Sequence, residues 1–378
     1  MSSSSGTSHG RPPLHAVQVL GGGSAGSGAH VRSLAAGLVA RGLRVTVCAA
    51  GGAEEQYGFT GAGASFAPLP AGTDALLVAG IRAAAADADV VHAHGLRWGV
   101  LAALALHGRP TPLVVTWHRR VRAAGARAHV VRLMERRAVR AAAVVLGATP
   151  DLVDQARARG ARDARLTPVG FPGPGAPAAT VAVAESSEGD VPRDKVLAEL
   201  GVLGQPLLLA VGRLEPDQGY GPLLDAARSW RRLDPEPLLV VAGEGPERPS
   251  LQRRIEDEGL PVRLVGRRDD VPQLVAAADL AILPSRWEGR ALLAQEAFRA
   301  GVPLVATAVG GVPDLVGDAA ELVPYGDGEA LALAVSRVLG DSRRRAELVA
   351  AGRRLGAGWP SEDDAVAHVL SVYDELWG

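Results

Sequence analysis

Residues 279–307 read DLAILPSRWEGRALLAQEAFRAGVPLVAT, and the pattern inside them decides the fold. Leu280 to Leu283 is a short apolar run, the mark of a strand buried on both faces. Pro284 and Ser285 end it. A loop follows, Arg286-Trp287-Glu288-Gly289, then a helical spacing from about Arg290 to Ala300 that Gly301 stops. Val302-Pro303 opens the next apolar strand. Strand, loop, helix and strand in that order make a parallel α/β unit, and this one carries two carboxylates, Glu288 in the loop and Glu296 in the helix.

Eight residues of helix separate two side chains by about 12 Å along the axis and leave them within one quadrant of each other. Acids so placed cannot share one proton or one metal, but they can grip two hydroxyl-bearing parts of one extended ligand. In open α/β sheets ligands sit at the carboxyl ends of the strands, where Glu288 lies. The helix N-terminus beside it offers N–H groups to an electron-rich partner.

The alternation extends in both directions. Upstream in the same block the expected strands are Leu207–Val211, Leu238–Ala242 and Val262–Val265; downstream they are Leu304–Ala306 and Glu321–Val323. Before this block lies PGPGAPAATVAVAESSEGDV, residues 172–191, whose Pro, Gly, Ala and Ser leave no core-forming period. Earlier still, a first block alternates strands at Ala16–Leu20, Arg44–Ala49, Val90–His92, Leu113–Thr116 and Val144–Leu146 with helices at His30–Arg41, 73–88, Leu96–His107 and Ala126–Ala141. The division that follows is a disordered lead over 1–13, a Rossmann-like domain over 14–171 and a linker over 172–203. A second Rossmann-like domain covers 204–360, and a capped amphipathic helix covers 361–378.

The totals agree with two globular α/β domains: 378 residues, 47% hydrophobic, 21% charged and a net charge of −1. Near neutrality argues against a nucleic-acid binder. One cysteine, Cys48, excludes intrachain disulfides and Cys-rich metal sites. The start, MSSSSGTSHGRPP, is polar rather than a signal peptide, and no apolar run of bilayer length occurs, so a cytoplasmic protein is expected.

The string P-S-x-x-E-G with a second Glu eight residues after the first, followed by A-G-V-P-L-V-A, resembles the E-x7-E signature of family 4 glycosyltransferases. These are retaining enzymes of the GT-B fold, two Rossmann-like doubly wound domains facing across a cleft. In that family the first acid binds hydroxyls of the donor sugar and the second binds the ribose of the nucleotide. The resemblance implies those roles for Glu288 and Glu296, and it places Gly289, Arg290 and Ala291 against the donor. Arg290 and Ala291 depart from the usual Phe-Gly.

The family pattern G-R-L-x-x-x-K-G, whose Arg and Lys neutralise the diphosphate, is met by Gly212-Arg213-Leu214 and then Gln218-Gly219. Arg213 matches. Gln218 stands at the lysine position and carries no charge, so one cation for the leaving group is missing. By the same resemblance Gly266 and Arg267 lie near the base, and Gly310 and Gly311 offer backbone N–H groups to a phosphate. His118 contacts the donor. The Gly-rich loop 21–28, with Gly22 and Gly23 on the donor side and Ser24 toward the acceptor, lines the same region. His94 is placed on the acceptor side.

Histidines 92 and 94 have an H-x-H spacing, but no third ligand clusters with them in sequence, so neither a metal nor another cofactor is expected. Residues 119–140 hold eight arginines against one acid, Glu135, which suggests either a solvated helix face or peripheral contact with anionic membrane. The function implied is transfer of a hexose from a UDP-, GDP- or ADP-sugar to a glycan, lipid or small-molecule acceptor hydroxyl, with retention. A non-catalytic nucleotide-sugar binder would account for Gln218. A GT-B nucleotide-sugar epimerase would share the fold, and a dinucleotide-dependent dehydrogenase would rest on the glycine loop, although strand two ends without the acid such a site uses.

Overall fold

The computed structural model describes residues 12–377 apart from 22–24, 122, 124, 169–192, 203, 269 and 287–290. The chain divides into two compact units. Unit 1 comprises residues up to Gly147, Leu152–Thr167 and the final helix, and unit 2 comprises Ala148–Asp151 and Pro168–Ser361.

Among the described residues unit 1 holds seven strands: β1 His15–Val19, β2 Arg44–Ala50, β3 Ser65–Leu69, β4 Val90–His94, β5 Leu113–Trp117, β6 Val144–Gly147 and β7 Ala164–Leu166. All pair in parallel, in the order β3-β2-β1-β4-β5-β6-β7. The inner strands β1, β4 and β5 are buried along their whole length, polar residues such as Gln18, His92, His94 and Thr116 included, as expected of a parallel sheet covered on both faces. The two edge strands read differently. Pro68 in β3 lacks the N–H a central strand would need, and β7 is three residues with Arg165 at its centre.

The helix Glu362–Trp377 belongs to unit 1, where Val366, Val369, Val372 and Tyr373 enter the core shared by Ala16, Leu34 and Leu38. It packs against the helix Ala25–Ala40. Arg41–Asp363 at 2.7 Å and Arg165–Glu375 at 2.7 Å tie its two ends.

Unit 2 holds β8 Leu207–Val211, β9 Leu238–Ala242, β10 Val262–Gly266, β11 Leu280–Leu283, β12 Leu304–Thr307 and β13 Glu321–Val323, parallel in the order β10-β9-β8-β11-β12-β13. Along β8 alternate residues enter different cores: Leu207 and Leu209 join one cluster, Leu208 and Ala210 the other. The centre of the sheet is thus buried on both sides, as the apolar strands there require. One expectation is corrected here. Residues 172–203 do not all form a linker, because the helix Arg193–Glu199 packs into unit 2, with Val196, Leu200 and Val202 buried in its core. Arg193 anchors it to Asp279 at 2.8 Å.

Candidate functional site

In unit 2 the strand order reverses between β8 and β11, so the connections leaving their carboxyl ends run in opposite directions and part there. The loop after β8 carries Arg213 and Gln218, and the loop after β11 leads to residue 288. The two loops are fastened together. Gly219 has a φ of +75°, and a Cβ on it would lie 1.9 Å from the Pro284 carbonyl oxygen, so only glycine lets the turn seat there. The Arg286 N–H donates to the Asp217 carbonyl at 2.9 Å. From the other side Thr307, at the end of β12, donates its hydroxyl to the Ser285 carbonyl. The chain just after β11, at Ser285 and Arg286, is therefore held from both neighbouring strands.

Arg213 projects from the end of β8 with its side chain 62% exposed and pairs with Glu215. Gln218 turns back toward the strand end: its Oε1 lies 3.4 Å from where a Cβ on Gly212 would stand. Beside it is an arginine that the sequence reading had not singled out. Arg286 reaches Asp217 Oδ1 at 3.2 Å, and its guanidinium lies 5.8 Å from the centre of the Tyr325 ring. The turn that lacks a lysine at 218 thus has a second guanidinium against its neighbour 217. The signal was present in sequence, as a cation just after the strand that carries the acid loop.

Glu296 lies on the helix Leu292–Ala300 with its side chain 13% exposed. Burial raises its pKa above the ordinary carboxylate value, and Arg299, 3.1 Å away, works against that rise. The helix starts from an unusual residue. Ala291 is 2% exposed and has φ 39° and ψ 54°, the left-handed region, where an alanine is strained by about 1–2 kcal/mol. Its carbonyl accepts from the N–H groups of Ala294 and Gln295, so the strain is held by the helix it opens. Gly266 ends β10 with φ +74°, and exposed Arg267 follows. Gly310 and Gly311 lead from β12 into the short helix Val312–Val316. All these residues belong to the carboxyl edge of one sheet. Glu288, Gly289 and Arg290 lie outside the described residues.

Unit 1 repeats the geometry between β1 and β4. Gly22, Gly23 and Ser24 lie outside the described residues, but the loop's first glycine has a packing reason: a Cβ on Gly21 would overlap the Trp98 indole. The helix begins at Ala25, earlier than the His30 expected, so Gly28 is already helical and lies under the Tyr57 ring.

At the end of β4 the two histidines part in role. His92 Nδ1 is 2.7 Å from Tyr373 Oη and its Nε2 is 2.6 Å from Thr116 Oγ1. His94 Nε2 is 2.8 Å from Gln18 Oε1, and Gln18 Nε2 donates to Tyr373 Oη at 2.7 Å. His94 Nδ1 faces His118 Nε2 at 3.2 Å. Burial holds His92 well below the usual imidazole value and pushes His94 down to about 3, so both are neutral rings. The structure therefore brings His94 and His118 together, with His30 beside them, and gives His92 a buried partner on the final helix.

Among the described residues no helix is long and apolar enough to cross a membrane. Cys48 is buried, and burial pushes its thiol up to about 12, so it takes no part in this chemistry.

A family model described as glycosyl transferases group 1 matches residues 193–355, and one described as a glycosyl transferase 4-like domain matches 25–172. The chain is 31% identical over 195 residues to a GDP-mannose-dependent alpha-(1-6)-phosphatidylinositol monomannoside mannosyltransferase of Mycolicibacterium smegmatis, covering 47% of this chain and 51% of that one. It is 30% identical over 261 residues to an alpha-D-kanosaminyltransferase of Streptomyces kanamyceticus (65% and 64%), and 36% identical over 205 residues to a D-inositol 3-phosphate glycosyltransferase of Salinispora arenicola (50% and 46%). The chain spans about half the length of most of the curated relatives it matches.

Among solved structures, Anabaena HepE in complex with UDP superposes with a TM-score of 0.78 at 20% identity, covering 96% of this chain and 100% of that one. A sucrose-phosphate synthase from Thermosynechococcus elongatus also gives 0.78 at 20% identity, covering 96% and 99%. At that identity the likeness establishes the fold, two parallel-sheet Rossmann-like units of the GT-B class.

Proposed function

The chain belongs to the family 4 glycosyltransferases, whose two family models together span most of it, and from this we propose that it transfers a hexose from a nucleotide-diphosphate sugar to an acceptor hydroxyl with retention of configuration. The observation that carries the reading is at the β8/β11 switch point. Two arginines, Arg213 and Arg286, leave the carboxyl ends of the strands that part there, and a half-buried acid, Glu296, sits on the helix that follows. Bond breaking leaves negative charge on the departing diphosphate. Preset guanidinium groups lower that barrier because they need no reorganisation as the charge forms. In this reading Arg286 makes up part of the charge absent at Gln218. Glu296 takes the ribose hydroxyls, Glu288 orients the sugar, and His118 holds the donor beside the reacting carbon. Backbone N–H groups at Gly310 and Gly311 serve a phosphate, Gly266 and Arg267 serve the base, and Gly289, Arg290 and Ala291 flank the donor. Gly22 and Gly23 are assigned to the donor, Ser24 and His94 to the acceptor.

A thermal-shift panel of UDP, GDP, ADP and their sugars tests the proposal. One nucleotide series should raise the melting temperature, and Glu296→Ala should abolish the rise. A response without turnover across glycan, lipid and small-molecule acceptors would favour a non-catalytic binder, and release of an isomerised sugar nucleotide would favour an epimerase. No response to any of them would defeat the proposal.

One further observation bears on the compartment. The helix Gly125–Ala141 turns its single acid inward, where Glu135 is 3% exposed and bonded to Gln155 and Arg159. Outward it shows Arg127, Arg132, Arg136, Arg137 and Arg140 together with Val130, 58% exposed, and Leu133, 68% exposed. Basic side chains interleaved with exposed aliphatic ones suit the interface of an anionic membrane. We propose a cytoplasmic protein that docks peripherally through this face. Equal sedimentation with anionic and neutral vesicles would remove that part of the proposal.

A further inference from the structure

We propose that Gln18 and Tyr373 are positioning residues that set the ring of His118 through His94, a proposal that rests on the transferase reading, in which His118 holds the donor beside the reacting carbon. Five hydrogen bonds join six side chains of unit 1 in one chain. Gln18 gives the chain its direction, because its amide has one donor end and one acceptor end. Its Nε2–H donates to Tyr373 Oη at 2.7 Å, so its Oε1, 2.8 Å from His94 Nε2, must accept. Burial keeps His92 and His94 neutral, and each has a single proton to place. The proton of His94 therefore sits on Nε2, and its Nδ1 keeps a lone pair. His118 Nε2 stands 3.2 Å from that lone pair and donates to it. On the other side Tyr373 gives its own proton to His92 Nδ1 at 2.7 Å. That leaves the proton of His92 on Nε2, where it meets Thr116 Oγ1 at 2.6 Å.

All the protons run the same way along the chain, away from His118. Thr116, His92, Tyr373, Gln18 and His94 are each at most 3% exposed, while His118, one residue past β5, is half-buried. The chain thus lies in the core and opens at one end, the histidine assigned to the donor. A polar network satisfied in this way fixes one arrangement of its members, because any ring that turns strands a buried partner. Which nitrogen of an imidazole carries the proton is set by the bond the other side makes. For His118 that bond is to His94, so its Nε2 faces inward with the proton, its ring 14° from the plane of the His94 ring. It meets the donor with the rest of the ring already set, which reduces the freedom lost on binding. Both nitrogens of His94 are used within the protein, so it reaches an acceptor only through its ring carbons. Tyr373 brings the final helix into the support of this histidine.

Two measurements on the full chain test this. Long-range proton–nitrogen NMR of the histidine-labelled protein, with signals assigned by single replacement, should show His94 and His118 both protonated at Nε2. A His94 proton on Nδ1 would overturn the proposal with no ligand present. Calorimetry then compares a nucleoside diphosphate with its sugar, in whichever of the UDP, GDP and ADP series the wild type binds. Gln18→Met and His94→Ala should weaken the sugar nucleotide about 3- to 10-fold, the effect of one hydrogen bond, and leave the plain diphosphate within about twofold. His94→Asn, whose Oδ1 can accept from His118 near the place of Nδ1, should recover most of the loss. Circular dichroism checks that each variant is folded. Folded Gln18→Met and His94→Ala that bind the sugar nucleotide as the wild type does would overturn the proposal alone. So would an equal loss for diphosphate and sugar nucleotide, which is what a general weakening of unit 1 gives. A wild type that binds no nucleotide would defeat the transferase reading itself, and the proposal with it.

Discussion

Replacing Glu296 with Gln should move stability and binding in opposite directions. The carboxyl is 13% exposed, and burial is the larger influence on it, raising its pKa above 4.5, with Arg299 as the weaker opposing one. A carboxyl whose folded-state pKa exceeds its unfolded value favours folding fully at pH below the unfolded value, and that contribution is lost as pH rises through the folded value. At pH 7 the wild type therefore holds a partly desolvated charge that a glutamine lacks. Against this stands the lost pair with Arg299, an i,i+3 contact to a side chain 38% exposed, worth about 0.3–0.5 kcal/mol. The unliganded variant should be the more stable at pH 7, and the difference should close as pH falls toward 4.

Binding goes the other way. Two ribose hydroxyls donating to a carboxylate contribute about 1.5–3 kcal/mol each, while the amide keeps one neutral acceptor worth about 0.5–1.5 kcal/mol. The loss is about 2–4 kcal/mol, or roughly 30- to 1000-fold in Kd. Calorimetry with the responding nucleotide sugar reads the second quantity, and urea denaturation at pH 7 and pH 4.5 reads the first. Unchanged affinity would refute the assignment of Glu296 to the ribose. A variant less stable than the wild type at pH 7 would refute the burial argument.

Gln218→Lys should tighten binding of the nucleoside diphosphate product and raise turnover, by about tenfold if the added charge meets the phosphates at surface-like screening; Arg286→Ala should lower both, and activity assays with the responding donor check the pair. Ala291→Gly should be neutral or stabilise unit 2 by up to about 1 kcal/mol, because relief of the left-handed strain is offset by unfolded-chain entropy and a lost buried methyl. Ala291→Val should destabilise by more than about 2 kcal/mol in the same denaturation assay, since a branched side chain fits that backbone region worse. Tyr373→Phe keeps the ring but strands Gln18 Nε2 and His92 Nδ1, both in a fully buried setting. At about 1–3 kcal/mol for each unpaired group it should lower the stability of unit 1 by about 2–6 kcal/mol, seen as a shifted calorimetric transition.

What could be read from the sequence was what is local. The central strands of unit 2 are apolar runs, and Leu207–Val211, Leu238–Ala242 and Leu280–Leu283, each closed by Gly or Pro, fall where the runs predict; so does the edge strand Glu321–Val323. The edge strands of unit 1 escaped because an edge position tolerates Pro68 and Arg165, which erase the apolar signal that burial on both faces creates. The helix Arg193–Glu199 escaped because it follows closely on a low-complexity stretch, and about two helical turns are too short to declare a period. The strained backbone at Ala291 left a trace, an alanine where the resembling family has glycine, but the conformation itself depends on how the helix is seated.

The histidines of unit 1 differ from the residues of unit 2 in the same respect. Arg213, Gln218, Arg286 and Glu296 each follow a strand of the same parallel sheet, β8 or β11, so their place just after a strand already put them at one sheet edge. The histidine cluster is assembled from the helix after β1 and the ends of β4 and β5, and its supports come from β1 and from a helix at the far end of the chain. A spacing rule sees His92 and His94 as a pair, since alternate residues of a strand share a face. Gln18 and Tyr373 are what separate them, by saturating one ring and orienting the other. The contact between the first strand and the last helix decides which imidazole keeps a lone pair for a neighbour.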